Sequence, residues 1–275
     1  MSWRGSRGVT LAGLLVVAAL ALAAALASHI VPGSPTEIAS SQALRPPTWS
    51  QPFGMDDLGR SILSRVVHAY RVSLGVAVAS VALALLAGVP LGLVAGYAEG
   101  PIDQLIMRPL DVLMSFPAIL LAIALMSVFG TGVALVALSL AVVYTPIVAR
   151  VVRAAVLAIK VEVYVDGARA LGAPVPRLVL RHILPNAATP VLVQASVLMA
   201  IAILVEASLS FLGVGVRPPT PSLGLMLADG RGFMVQAPWM VIFPGLAIMA
   251  AVLGFNMVAD GLRDWLDPQQ AAGRS

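Results

Sequence analysis

Five stretches of this chain, at 9–36, 72–98, 112–149, 186–205 and 232–259, contain no Asp, Glu, Lys or Arg. A bilayer core of about 30 Å is crossed by roughly 20 apolar residues in a helix. Inside lipid every backbone N–H and C=O must find a partner within the chain, which leaves only helices and closed barrels. These runs are too long for barrel strands, and they do not alternate polar with apolar. Gly130-Thr131-Gly132 interrupts the third run. Taken as a tight turn, it divides the chain into six helices near 9–30, 72–97, 111–129, 132–150, 187–210 and 239–259. The expected fold class is an all-α integral membrane protein with six transmembrane helices.

Composition narrows the chemistry. Hydrophobic residues make up 59% of the chain and charged residues 11%, against about 25% charged in soluble domains. The same figures exclude a disordered chain, which needs low hydrophobicity and high charge. The absence of Cys removes disulfides, thiolate metal sites and cysteine nucleophiles. The sequence is basic, but its arginines are scattered without a run or an interleaved aromatic patch, so no nucleic acid is expected as a partner. Lys160, the only lysine, is followed by Val161, which excludes a Walker A loop. His29, His68 and His182 are too dispersed for a H-E-x-x-H site, and no G-x-S-x-G elbow exists. No metal and no cofactor are therefore expected in this chain, and no catalytic residues.

An ion-coupled carrier is the rival transport reading, and it places ionisable groups near the membrane midplane. Here only Glu206 lies within a span, with Asp111 and Asp260 at span ends. A membrane enzyme would need convergent catalytic side chains, and none are apparent. The chain reads as a pathway whose energy comes from a partner.

Orientation follows from the basic residues between spans. With the N-terminus inside, Arg4, Arg7, Arg108, Arg150, Arg153, Lys160, Arg169, Arg177, Arg181, Arg263 and Arg274 are cytoplasmic. Arg45, Arg60, Arg65, Arg71, Arg217 and Arg231 are external. Both termini are then expected in the cytoplasm. The alternative for the first span is a cleaved signal peptide, with Trp3-Arg4 and Arg7 before the apolar stretch and Ala25-Leu26-Ala27 before Ser28.

Several spans carry helix breakers, at Pro90, Pro117, Pro146, Pro190 and Pro244. Gly88, Gly92 and Gly96 form two G-x-x-x-G steps on one helical face, which lets another helix approach closely. Packing within the subunit and a subunit interface both fit that pattern. Outside the spans, residues 56–70 read as an amphipathic helix capped by Asp56 or Asp57. It serves either interfacial packing or contact with an external protein. The Pro- and Gly-rich segment 217–237 is long enough to fold back toward a pore mouth.

The inner segment 150–186 has an ordered polar pattern. Residues 162–171 favour a helix that Gly172 terminates, with Pro174 and Pro176 just beyond. A second short stretch, 177–184, is expected to stop at Pro185-Asn186. Val165, Ala168, Leu171 and Leu178 suit docking into a groove on a soluble partner. A helix pair lying on the lipid surface is the alternative.

Asp166-Gly167-Ala168-Arg169-Ala170-Leu171-Gly172, followed by His182-Ile183-Leu184-Pro185, resembles the EAA loop of binding-protein-dependent ABC importer permeases. Gly172, Leu184 and Pro185 fall in register; Asp166 stands for the Glu, Gly167 for the first Ala, and His182 for an Ile. Residues 54–60 resemble the G-T-D-x-x-G-R element of the C-type peptide permeases, with Met55 in place of Thr. Residues 202–215 resemble the L-E-A-S-L-S-F-L-G-x-G segment of the peptide and nickel branch. The Pro-rich 218–224 segment and Met226-Leu227-Ala228-Asp229-Gly230-Arg231 follow in order, and Asp260-Gly261-Leu262-Arg263-Asp264 with Asp267-Pro268 resemble the family's C-terminal ending.

The resemblance implies a type I ABC importer permease fold with a cytoplasmic coupling helix. It implies a homologous second permease (a heterodimer), two cytoplasmic ATPase subunits that bind ATP and Mg, and an extracytoplasmic solute-binding protein. The lipid bilayer of the bacterial cytoplasmic membrane completes the setting. Its solute would be a di- or oligopeptide, with nickel or another small solute as the alternative. The coupling residues it points to are Asp166, Gly167, Ala168, Arg169, Leu171, Gly172, Leu184 and Pro185. Glu206, Ser208 and Ser210 are candidates for the pathway or a gate, with a structural hydrogen bond as the alternative for Glu206. Asp56, Asp57 and Arg60 are candidates for outer docking. The expected organisation is 1–71 for the first span and outer segment, 72–260 for the permease core, and 261–275 for a cytoplasmic tail.

Overall fold

The apolar runs fold into long rods: α1 (Trp3–Ala25), α2 (Ile62–Ala98), α3 (Gly100–Met114), α4 (Ala118–Phe129), α5 (Val133–Ile159), α6 (Val163–Ala170), α7 (Val175–Phe211), α8 (Leu223–Gly230) and α9 (Trp239–Leu266). These come from a computed structural model that describes residues 3–31 and 34–266. Arg274, Asp267 and Pro268 lie outside the described residues, as do the side chains of Arg4 and Arg7. Among the described residues, five helices are long and apolar enough to cross a membrane, and the bent α3–α4 pair, counted as one broken span, makes a sixth.

The glycine face of α2 is filled from within the chain. A Cβ at Gly88 would lie 2.8 Å from Val148, one at Gly92 2.5 Å from the Ala149 carbonyl, and one at Gly96 2.8 Å from Val156. Gly88 and Gly96 thus meet residues sixty positions further on, and Gly92 meets Val152 likewise. A constant offset means that α2 and α5 run parallel and nearly backbone to backbone. In lipid, where apolar burial drives association weakly, such close van der Waals packing is what holds helices together.

Parallel helices require the intervening chain to return. The expected third span, 111–129, is not one helix: α3 and α4 meet at 93°. Pro117 disfavours helical geometry at Phe116 and has no N–H to donate, so the rod breaks at Ser115–Pro117. The 12 residues of α4 extend only about 18 Å.

Two other boundaries also differ from expectation. Residues 56–70 are not a separate amphipathic helix capped by Asp56 or Asp57. Ser61 is the cap, accepting from the Ser64 N–H at 3.4 Å, and α2 runs unbroken through 37 residues. The stretch 177–184 does not stop at Pro185. A π-helical segment, Leu178–Ile183, precedes the proline, and the Leu184 N–H bonds to Val179 O. Widening the turn relieves the clash of a proline ring with the preceding turn, so the helix continues to Phe211.

The remaining spans are fixed by similar contacts. Gly13 packs on Met257, and Gly254 on Val16, so α1 and α9 are antiparallel. The start of α1 and the finish of α9 therefore share an end of the bundle. Arg71 on α2 donates to the Ala24 and Ala25 carbonyls at the close of α1, and the Tyr70 hydroxyl donates to Ala247 O at 2.9 Å. One end of the bundle thus carries residues 98–115 and 160–183; the opposite end carries the first turns of α2 and α9 and the segment 206–238.

Gly92→Val would drive a side chain into the Ala149 backbone, and overpacking of this kind costs about 1–3 kcal/mol. The detergent-solubilised variant should unfold at a lower temperature. Gly75→Ala, where a Cβ meets nothing within 4 Å, should leave the transition unchanged or raise it by about 0.5–1 kcal/mol in equivalent stability.

Candidate functional site

The first candidate surface is the loop between α5 and α7. Glu162 precedes α6, and Gly172 closes it at φ +81°. Gly172 N–H bonds to Arg169 O at 2.9 Å and Ala173 N–H to Ala168 O at 3.1 Å. This double bond pattern is the Schellman motif, which requires a left-handed residue at the position of Gly172. A Cβ there would touch nothing within 4 Å, so backbone conformation alone constrains the position.

The helix is docked from below and exposed above. Val165 is fully buried and Leu178 nearly so, and α6 rests on the π-helical base of α7. The expectation that Val165 and Leu178 face a partner is therefore corrected: they hold α6 onto its own chain. The outward apolar surface is Val163, 85% exposed, Tyr164 and Leu171, 91% exposed. Val163 and Tyr164 lie two and one positions before Val165, the residue named from the sequence. Asp166 and Arg169, both half-exposed, pair at 2.7 Å across one turn. Gly167 is exposed and Ala168 half-buried. Leu184 and Pro185 lie in α7, beyond the π segment, and do not join this face.

Below that loop lies a second cluster that the sequence reading did not assign. Lys160 caps α5 and pairs with Glu99 while donating to Gly96 O at 3.0 Å. Burial and the nearby Arg169 charge push the Lys160 ammonium down from its ordinary value. Arg153 holds Asp103 with two bonds of 2.6 and 2.7 Å, and Arg150 holds Asp111 at 2.6 Å. The available signal was the helical spacing of Asp103 and Asp111 on α3, one charged face opposite Arg150 and Arg153.

The opposite end holds two buried polar centres. Glu206 is fully buried; it accepts from Ser73 Oγ at 2.7 Å, Ser210 Oγ at 2.9 Å and Ser222 Oγ at 3.0 Å. The Ser210 hydroxyl oxygen in turn accepts from the Val216 N–H at 3.1 Å. The carboxylate thus joins α2, α7 and the segment leading into α8. Ser208 points elsewhere, partly exposed and donating to Leu204 O at 2.8 Å. α8 folds back so closely that a Cβ on Gly224 would collide with Ala207 O.

Asp56 is the second centre, with 2% of its side chain exposed. One oxygen accepts from the Leu58 and Arg60 N–H groups at 2.9 and 2.8 Å. The other accepts from Arg60 Nε at 2.6 Å and Arg65 Nη1 at 2.5 Å. Arg65 also reaches Asp229 at 3.4 Å, so residues 54–60 and 226–231 meet through ion pairs. Arg65 and Asp229 complete a network of which the sequence reading named only Asp56, Asp57 and Arg60. Burial, with the neighbouring Asp56 charge, pushes the Asp57 carboxyl up. Asp56 is enclosed, so of the three outer-docking candidates Asp57 and Arg60 are the ones partly exposed.

Residues 88–271 match the family described as binding-protein-dependent transport system inner membrane component. The chain is 42% identical to the dipeptide transport system permease protein DppC of Alkalihalophilus pseudofirmus, over 95% of this chain and 86% of that one. It is 41% identical to the protein of the same name from Haemophilus influenzae, covering 97% and 92%. It is 46% identical to the glutathione transport system permease protein GsiD of Escherichia coli, covering 79% and 72%. In fold it is similar to a chain of the MetNI methionine ABC transporter, with a TM-score of 0.57 at 16% identity, over 72% of this chain and 96% of that chain.

Removing one partner of a buried ion pair strands the other, at a cost of about 3–5 kcal/mol. Asp56→Ala, which leaves the buried Arg65 with only its longer contact to Asp229, should lower the unfolding temperature of the purified protein strongly. Asp229→Ala, at a half-exposed site, should cost less than about 1 kcal/mol. Equal effects would contradict this assignment of the network's centre.

Proposed function

The chain belongs to the binding-protein-dependent transport system inner membrane components, and from that premise we propose that it is one half of the pathway through which an ABC importer carries di- or oligopeptides across the bacterial cytoplasmic membrane. The relatives named for dipeptide and glutathione transport support a peptide as solute over nickel or an ion-coupled mechanism. A second permease would supply the other half, a solute-binding protein would deliver peptide at the α8 end, and two ATPase subunits would bind ATP and Mg at the α6 end. That end would face the cytoplasm, with both termini beside it.

One observation carries this reading: α6 presents Val163, Tyr164 and Leu171 to solvent while its other face is seated on α7. An exposed apolar face beside an exposed charge pair is the surface a soluble partner's groove accepts. Val165 and Leu178 transmit the partner's movement, because a short helix seated on a long one cannot shift without taking the base of α7 with it. Gly172 keeps the helix short and sends the chain back to the membrane.

Glu206 would then serve the pathway indirectly. Its three serine partners favour a role in holding α2, α7 and the α8 segment in register over contact with peptide.

Reconstituted with its ATPases, second permease and binding protein, the complex should hydrolyse ATP faster when peptide is supplied. Gly172→Asp places a carboxylate at the negative end of α6 and in the docking face, and should abolish uptake while leaving insertion and assembly largely intact. Gly172→Ala adds only the left-handed strain, about 1–2 kcal/mol, and should reduce uptake partially. Normal uptake by Gly172→Asp would remove the coupling assignment.

A further inference from the structure

α3 is short, lies at 93° to α4, and is tied to the bundle mainly on one side. Met107 and Leu110 are buried against Ala95 and Ala149, while Ile102, Leu105 and Val112 are at least half exposed. Asp103 is partly buried on that side, and Asp111 and Glu99 lie at its exposed margins. Asp103 receives both Arg153 nitrogens in a fork, and Asp111 and Glu99 flank it with Arg150 and Lys160. A forked guanidinium–carboxylate pair fixes orientation as well as distance.

Glu99 sharpens the point. It sits at φ +54°, ψ −170°, a region costly for any residue with a side chain and occupied only when surroundings over-determine it. Those surroundings are visible: its carboxylate pairs with Lys160, and its N–H bonds to Ala95 O at 3.2 Å. Lys160 is the last residue before the loop that carries α6. By contrast, α4 meets the bundle through apolar contacts at Ala122 and Met126, which can slide past one another as packed helices do in shear motions.

We propose that the three ion pairs Glu99–Lys160, Asp103–Arg153 and Asp111–Arg150 clamp α3 to α5, so that α3 moves as one block with the coupling loop and the Ser115–Pro117 break is the hinge to α4. The clamp rests on the importer reading, since the block's motion is driven through α6. Asp103 and Arg153 are its central positioning residues: they act by carrying α3 with α5.

The absence of Cys means that this chain adds no background to paired labels, provided the partner subunits are used in Cys-free form. Leu105→Cys with Ala158→Cys reports within the block, and Leu105→Cys with Val128→Cys reports across the break. In the assembled complex, spin-label distances are measured without nucleotide and with ATP trapped. The 105–158 distance should stay constant, and the 105–128 distance should shift. In an Asp103→Asn background the 105–158 distribution should broaden. Peptide taken up per ATP hydrolysed should fall roughly 2- to 30-fold, the range for substitutions that alter coupling between sites. The exchange Asp103→Arg with Arg153→Asp should restore both.

A 105–158 distance that changes through the cycle, in a complex showing peptide-stimulated hydrolysis, would overturn the clamp alone. So would Asp103→Asn with an unaltered distribution and unaltered uptake per ATP. A complex with native residues that shows no peptide-stimulated hydrolysis would overturn the importer reading and the clamp with it.

Discussion

The backbone contact between α2 and α5 sets the terms for everything around it. Three glycines at four-residue spacing let the helices approach so closely that a Cβ at Gly92 would stand 2.5 Å from a carbonyl oxygen. Lipid is as apolar as leucine, so helix pairs gain little from hiding apolar surface and must gain it from dense contact. Parallel register then follows from the sixty-residue offset, and with it the position of the chain's charges. Glu99 is brought beside Lys160, and α3 is laid along the arginines of α5. The chain between the two rods has to return through α4, whose 12 residues fall short of a full crossing without the bent partner before it.

Charge inside such a molecule is tolerated only where it is paired or hydrogen-bonded, and the structure places its pairs at the two ends. The ends differ in how those groups are used. Asp56 gathers four donors and Glu206 three, each joining segments distant in sequence. Together they tie α2 to α7, to the segment before α8 and to residues 56–60. At the other end, the ion pairs run along one helix–helix boundary, and the apolar surface of α6 beyond them is left uncovered.

Much of this was legible in the sequence, for identifiable reasons. Charge-free runs locate the spans because the cost of an ion in lipid is large and local. Gly172 was legible as a terminator because a left-handed residue after a helix is usually glycine, and the Schellman bonds confirm that geometry. What was not legible depended on tertiary contact. Pro117 breaks its rod while Pro90, Pro146, Pro190 and Pro244 sit inside theirs, and no local rule separates the cases. Pro185 is passed because a π turn absorbs it. Val165, Leu171 and Leu178 read alike as apolar docking positions of two short stretches, but such positions have two possible occupants, and the chain's own packing took Val165 and Leu178. The place of Asp229 in the Asp56 network was illegible for the same reason: it reaches Arg65 across 164 positions, from a segment that meets Arg60 and Arg65 only after α8 folds back.

The prolines and the ion pairs together explain how so apolar a chain can be stiff in one place and yielding in another. A membrane helix bends where its hydrogen-bond ladder is interrupted and nothing outside replaces the missing bond. At Pro109 the helix is interrupted too, yet α3 stays continuous, with Asp103 and Asp111 on either side held to α5. At Ser115–Pro117 no comparable tie spans the break: Asp111 is held before it, and α4 after it presents only apolar side chains and Ser127, which bonds to its own helix at Ile123 O. The same chemical interruption therefore gives a braced rod at one proline and a corner at the next. At Pro109 that brace comes from the arginines of α5, which the glycines of α2 bring alongside.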